Sequence, residues 1–148
     1  MAVYEYQFTV NASLQEVREF HYDTSALQRL TPLPVIVQLH KIEPLCEDSL
    51  SVFTLWVGPL PIKWKAVHRN VSEQGFTDVQ VEGPAAKWEH THQFVSQSSD
   101  RTEIHEHIEY EHRSGLWGLI TRVLFAKANL WVLFTYRKWV TRRLLSRR

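Results

Sequence analysis

Six short segments that alternate between apolar and polar residues follow one another between residues 35 and 111. They predict strands with the bounds Val35–Ile42, Leu50–Val57, Ile62–Val71, Phe76–Val81, Trp88–Ser96 and Thr102–Glu111. Turn-forming residues such as Gly58-Pro59 and Gly83-Pro84 separate them. Connections this short favour an antiparallel meander, because parallel strands need long crossovers. One face of such a sheet has to be covered by another element.

The segments before residue 35 and after residue 111 contain the helices that can cover this face of the sheet. Residues 3–10 alternate like a further strand, Ser13 and Glu16 have capping-box spacing for a short helix, and a second helical turn follows at residues 25–30. From about Leu116 to Leu145 the pattern predicts one long helix, the only element long enough to cover the sheet. We therefore expect an α+β fold in which a curved antiparallel sheet wraps around a long C-terminal helix, with two short helices after the first strand. All 148 residues are expected to form a single domain.

Charge and cysteine content restrict the classes of function. A net charge of +1 provides no overall positive field, so we expect no nucleic-acid partner. The only cysteine, Cys46, permits no internal disulfide, and residues 1–10 resemble a strand rather than a signal peptide, which favours a cytoplasmic location. No motif indicates a cofactor.

The C-terminal segment is both apolar and basic. Residues 137–148 contain six Lys or Arg and no acid, which is typical of a solvated helix end but also suits contact with anionic lipid. Upstream, Arg122 and Lys127 argue against a membrane span. Apolar residues nonetheless surround most of the helix, so we expect the excess to be covered by a second subunit or, as the alternative, by a membrane. The candidate contacts are Trp117, Phe125 and Val132.

The segment from residue 88 to residue 94 carries the most chemistry. Side chains alternate across a strand, so Trp88, His90, His92 and Phe94 share one face. An apolar face with two histidines is typical of a ligand-lining wall, where a few polar groups orient the ligand. The same pattern also fits a hydrogen-bonded core.

The following strand places an acid near these histidines. Glu106 shares a face with Ile104, Ile108 and Tyr110, and counting outward from the intervening turn sets it opposite His92. A buried carboxylate needs a partner, which a histidine provides. The residues leave four interpretations open: a structural ion pair, a ligand anchor, an acid–base pair, or a three-ligand metal site.

Several of these sequence blocks resemble a known superfamily. They are "SLQEVREFHYD", "LTP", "GPLPIKW", "GPAAKWEHTHQF" and "TEIHEHIEYE". Together they resemble the START-like helix-grip superfamily, and within it the small bacterial ligand-binding proteins of the polyketide cyclase/dehydrase type. The resemblance implies the helix-grip fold and a cavity between the sheet and the last helix.

The same resemblance implies that this cavity holds a small hydrophobic molecule, lipid-like or polyketide-like. The expected ligand-binding residues are Trp64, Trp88, His90, His92, Phe94, Glu106 and Tyr110. The alternative is a cyclase or dehydratase type of enzyme that uses His90, His92 and Glu106 on a polyketide-like substrate. No catalytic set of the superfamily maps onto this chain residue by residue, so catalysis stays open.

Overall fold

The structure, a computed structural model, describes residues 1–146, so the last two arginines of the basic tail lie outside the described residues. The strands are β1 (Ala2–Val10), β2 (Val35–Ile42), β3 (Leu50–Val57), β4 (Leu60–Ser72), β5 (Gly75–Glu82), β6 (Lys87–Ser98) and β7 (Arg101–Glu111). The α-helices are α1 (Leu14–Tyr22), α2 (Gly115–Leu124) and α3 (Lys127–Leu145), with a 3-10 helix at Thr24–Gln28.

All seven strands form one curved antiparallel sheet in the order β1-β7-β6-β5-β4-β3-β2. Each strand from β2 to β7 pairs with its neighbour in sequence, and β1 closes the order by pairing with β7. This confirms the predicted α+β class and the antiparallel meander, with strand bounds within two residues of those expected.

The predicted capping box begins α1. The Ser13 hydroxyl accepts from the Glu16 backbone N–H at 3.2 Å, and the Ser13 N–H donates to Glu16 Oε2 at 2.7 Å. Val17 and Phe20, on the inner face of α1, are buried. The capping bonds begin the helix, and the burial of Val17 and Phe20 holds it against one end of the sheet.

The prediction of one continuous C-terminal helix from Leu116 to Leu145 was wrong, because the chain breaks at Phe125 and Ala126 and the two helices meet at 49°. Neither proline nor glycine is present at the break. Instead the Asn129 side-chain amide donates at 2.6 Å to the Val123 carbonyl, which also accepts from the Ala126 N–H at 3.3 Å. Phe125 leaves the helical path and its ring centroid lies 4.6 Å from that of Trp88. Capping and burial together offset the lost helical hydrogen bonds.

Two of the three clusters of buried apolar residues lie at the two ends of α3, and the third surrounds Phe53 and Trp64 on β3 and β4. The C-terminal end of α3 joins α1 over Phe94 and Ile104, while Leu130 and Phe134 pack on Tyr4 and Ile108. These contacts hold α3 over the β1 and β7 side of the sheet. Strands β3 and β4 are left without a helix directly above them, and this sets aside the space for a cavity.

Within residues 1–146, no single helix is long and apolar enough to cross a membrane. Helices α2 and α3 reach that length and hydropathy only when they are taken together across their bend.

Candidate functional site

A cavity of about 450 Å³ lies between the inner face of the sheet and the junction of α2 with α3. Its wall comes from Phe53 on β3, Trp64 and Ala66 on β4, Trp88 on β6, and Phe125 at the break between the helices. Pockets for small molecules typically measure about 300–1,000 Å³ and have mostly apolar walls. The space therefore suits a small organic ligand.

The aromatic rings of the cavity wall pack against one another and hold each other in place. Trp64 stacks on Phe53 with centroids 6.0 Å apart, and its edge meets Trp88 at 5.5 Å. Phe125 closes the group from the helical side, at 6.2 Å from Trp64. Rings in these arrangements attract each other beyond simple area burial, so the wall is in place before any ligand arrives.

A cluster of histidines and acids borders the other end of the cavity. Asp78 lies opposite His90 in the pairing of β5 with β6, and His92 lies opposite Glu106 in the pairing of β6 with β7. Because side chains alternate on each strand, all four turn to the inner face. His68 on β4 joins them from the next strand.

The contacts within this histidine cluster are short. Since an ionised carboxylate can only accept, His90 Nε2 donates to Glu106 Oε2 at 2.8 Å. His92 Nε2 donates to Asp78 Oδ2 at 3.1 Å. His92 Nδ1 also lies 2.8 Å from Glu106 Oε2, but this oxygen is off the direction of the N–H bond, so the contact is an ion pair rather than a directed hydrogen bond. His68 Nε2 lies 3.0 Å from Asp78 Oδ1 and forms a further close contact of the cluster.

His92 is therefore a buried cation. Burial alone would lower its pKa, but the charge of Glu106, the hydrogen bond to Asp78, the close contact with the Glu106 carboxylate and the charge of Asp78 raise it to about 9. The acids respond in the opposite sense. Burial opposes their ionisation, yet the histidines hold the pKa values of Glu106 and Asp78 well below their usual range.

Two neighbouring histidines stay neutral. Burial, and then the charge of His92, lowers the pKa of His90 to about 4, and the same causes lower that of His21 to about 4. His21 comes from α1, where its Nδ1 lies 2.8 Å from the Val17 carbonyl. With its proton on Nε2, His90 keeps a lone pair on Nδ1, which no described residue engages.

Four of the seven predicted ligand-binding residues line the cavity: Trp64, Trp88, His90 and His92. Glu106 lies behind the two histidines and not in the cavity wall. Phe94 and Tyr110 also lie outside the wall, because α1 and α3 cover their ends of β6 and β7. The Tyr110 hydroxyl donates instead to the Phe125 carbonyl at 3.2 Å.

Sequence reasoning missed Asp78, His21 and Arg137, which also line the cavity. A signal existed for two of them. Asp78 lies two residues after the apolar Phe76 and so shares its strand face, and His21 follows Val17 by one helical turn. Arg137 gave no signal within a run of basic residues.

Asp78, His90 and His92 could also hold a metal ion. One ligand atom from each lies within 4.8 Å of the others, and two histidines with a carboxylate form a common three-ligand set. The sequence suggested Glu106 as the carboxylate of such a three-ligand site, whereas the structure places Asp78 in that position. An ion here would have to replace the proton that His92 shares with Asp78.

No protein-family model matches the chain, and no curated protein is significantly similar to it in sequence. Solved structures do resemble it. An aromatase/cyclase, Zhui, from a Streptomyces species has a TM-score of 0.79 at 15% identity, with 99% of this chain and 94% of that chain covered. A START superfamily protein from Mycobacterium smegmatis has a TM-score of 0.71 at 12% identity, with 98% and 97% covered.

A third structure is norcoclaurine synthase from Thalictrum flavum in complex with dopamine and hydroxybenzaldehyde. It has a TM-score of 0.64 at 18% identity, covering 95% of this chain and 86% of that one. At such identities the likeness shows the fold alone. The chain has the START-like helix-grip fold, as the sequence blocks implied.

Proposed function

We propose that the protein binds a small hydrophobic molecule, lipid-like or polyketide-like, in the cavity between the sheet and the C-terminal helices. The observation that supports this most is the cavity of about 450 Å³ with its wall of aromatic rings. Two proteins with the same fold are an aromatase/cyclase and a norcoclaurine synthase, and the second is described in complex with dopamine and hydroxybenzaldehyde. A few polar groups at one end would orient the ligand.

Tryptophan emission tests this proposal directly. Addition of 1-dodecanol or 2-naphthalenemethanol should change the emission and saturate, because Trp64 and Trp88 line the cavity. The same substitution at two sites provides the control. Trp64→Phe should lose the part of the change that comes from Trp64 and leave that of Trp88, while Trp56→Phe should keep the whole change, since Trp56 lies outside the cavity wall and donates to Gln38 at 3.0 Å. No saturable change with any apolar compound would contradict binding.

A second candidate function is acid–base catalysis of the cyclase or dehydratase type. It is favoured by two histidines whose ring centroids lie 4.0 Å apart and whose pKa values are driven in opposite directions, to about 4 for His90 and about 9 for His92. Such divergent pairs characterise general base and general acid. Neutral His90 would remove a proton next to a carbonyl, and charged His92 would stabilise the oxygen.

Deuterium exchange distinguishes the enzyme from the binder. If the pair is catalytic, the protein should accelerate exchange of the acetophenone methyl protons in D₂O, and His90→Gln should abolish the acceleration while a bound probe is retained. Binding of the probe without any acceleration of exchange would support the binding function and contradict acid–base catalysis.

We also propose that a second copy of the chain covers the exposed apolar stripe on α2. The stripe consists of Leu116, Leu119 and Val123, which are 73%, 63% and 67% exposed and lie one helical turn apart. Of the contacts expected from sequence, Trp117 and Val132 are exposed, but Phe125 faces the cavity. Symmetric dimers are the commonest assembly of soluble proteins, which is why a second copy is preferred to a membrane surface.

A further inference from the structure

Arg137 is a cation in the cavity wall. It lies on α3, and within residues 1–146 it is the only Lys or Arg that lines the cavity. Its Nε donates to the Leu30 carbonyl at 3.1 Å, and its guanidinium carbon lies 5.3 Å from the centroid of the Phe134 ring. Phe134 also meets the edge of His90 at 5.4 Å, so Arg137 and the histidine cluster share one neighbour.

The guanidinium has no counter-ion among the described residues. No carboxylate lies within 4.0 Å of it, and the bond to Leu30 is its only hydrogen bond there. The two acids whose charges reach it are Asp78 and Glu106. Both are already engaged by histidines, so neither serves as its partner.

This arrangement is unusual for a structural arginine. A side chain that only ties the Leu30 carbonyl to α3 and rests on the Phe134 ring uses one of five N–H donors and leaves its charge without an anionic partner. Burial lowers the pKa of Arg137, yet a guanidinium stays protonated in proteins and is costly to desolvate without a partner. Two terminal nitrogens in one plane match the two oxygens of a carboxylate.

We propose that Arg137 binds the carboxylate of the ligand, so that the physiological ligand is an amphipathic organic acid whose apolar body lies along the aromatic wall. This inference rests on the proposed binding function and specifies its ligand class. Long-chain and aromatic acids share the required chemistry, and the size and shape of the apolar body distinguish the two.

Matched acid–alcohol pairs test the assignment. The affinities of dodecanoate and 1-dodecanol, and of 2-naphthoate and 2-naphthalenemethanol, are measured by calorimetry at neutral pH. Wild-type protein should bind the acid of at least one pair about tenfold to hundredfold more tightly than its alcohol, the range of a hydrogen bond to a charged group. Arg137→Gln should reduce this preference to about onefold with the alcohol affinity little changed.

Two further variants keep the test decisive. Lys138→Gln removes the adjacent charge, whose Nζ lies 5.7 Å from the Tyr6 ring outside the cavity wall, and should retain the full preference. Arg137→Lys keeps a charge without the planar fork and should retain part of it, which serves if Arg137→Gln does not fold. The preference is a ratio of two affinities on one variant, so a general loss of stability does not imitate the result.

The outcomes separate the two proposals. Equal affinity for acid and alcohol in the wild type, or a preference that survives in Arg137→Gln, overturns the role of Arg137 and leaves hydrophobic binding intact. Failure of all four compounds to bind overturns the binding function and the inference with it.

Discussion

His92 carries a positive charge between two carboxylates, buried Glu106 and partly exposed Asp78, at the end of the cavity. Buried ions are tolerated only when their partners are close and well oriented. Neutral His90 and the Asp78–His68 contact complete the pairing. Each buried charge of the cluster is stabilised by a partner of opposite charge. Removing one residue therefore leaves another buried charge without its partner.

Glu106→Gln removes one charge while keeping the shape of the side chain. We expect the free energy of unfolding to fall by about 1–3 kcal/mol, because two histidines lose an ionised acceptor. Denaturant titration measures this. Glu103→Gln is the matched control on the outer face of the same strand, where Glu103 contacts the partly exposed His105 and accepts from the Gln97 side-chain amide, and it should cost less than about 1 kcal/mol. Equal losses would mean that the buried cluster contributes no more than a surface pair.

The pH dependence of stability follows from the same residues. The folded pKa of His92, about 9, exceeds its ordinary 6.5, so its contribution is complete below pH 6.5 and is lost as the pH rises through 9. The pKa values of His90 and His21 are about 4, so between pH 6.5 and 4 the unfolded chain takes up protons that the folded protein does not, and stability falls as the pH falls through this range. Stability should therefore peak near neutral pH.

Chemical unfolding at pH values from 4 to 10 tests this profile. His92→Gln should remove the alkaline decline while keeping the acid one. A wild-type free energy of unfolding that stays flat between about pH 6.5 and pH 9 would show that His92 is not the buried cation described above.

At this scale, sequence alternation explains what could be predicted. It set His90, His92 and Glu106 on inner faces, because every second residue of a strand points the same way. It could not show that His90 rather than His92 takes the directed bond to Glu106, since that depends on ring orientation. Asp78 enters from β5, and its place depends on register across a third strand.

At the scale of elements, the break between α2 and α3 shapes the cavity. It turns Phe125 inward, against Trp64, Trp88 and Tyr110. Apolar periodicity continues through the break, so the sequence predicts one helix. The break depends on tertiary contacts, namely the Asn129 cap and the aromatic wall, which local pattern does not contain.

Phe125→Ala should open the cavity and destabilise the fold by about 2–4 kcal/mol, somewhat less than a fully enclosed phenylalanine because one side already faces open space. Thermal or denaturant unfolding measures the loss, and the emission of the neighbouring tryptophans should shift to the red. Val81→Ala, at a strand position that is 51% exposed and outside the apolar stripe of α2, should change stability by less than about 1 kcal/mol. A similarly small effect at Phe125 would show that its ring does not hold the wall together.

For the whole molecule, the apolar stripe on α2 predicts self-association. Light scattering should report a dimer for the wild type, and Leu119→Glu should yield a monomer because it places a charge in the middle of the stripe. Val81→Glu, on a strand residue that is 51% exposed, should leave the dimer intact. A wild-type monomer at high concentration would contradict the dimer, and its binding to anionic vesicles would assign the stripe to a membrane.

The central claim is that the cavity holds a hydrophobic ligand, and native mass spectrometry tests it most directly. Ala66 is buried in the cavity wall between Trp64 and His68, so Ala66→Phe fills the space from the same strand. The wild type should carry one small apolar molecule non-covalently, from purification or after addition of the probes above, and Ala66→Phe should not. A folded wild type that stays bare with every compound, or an Ala66→Phe variant that binds equally well, would contradict the account.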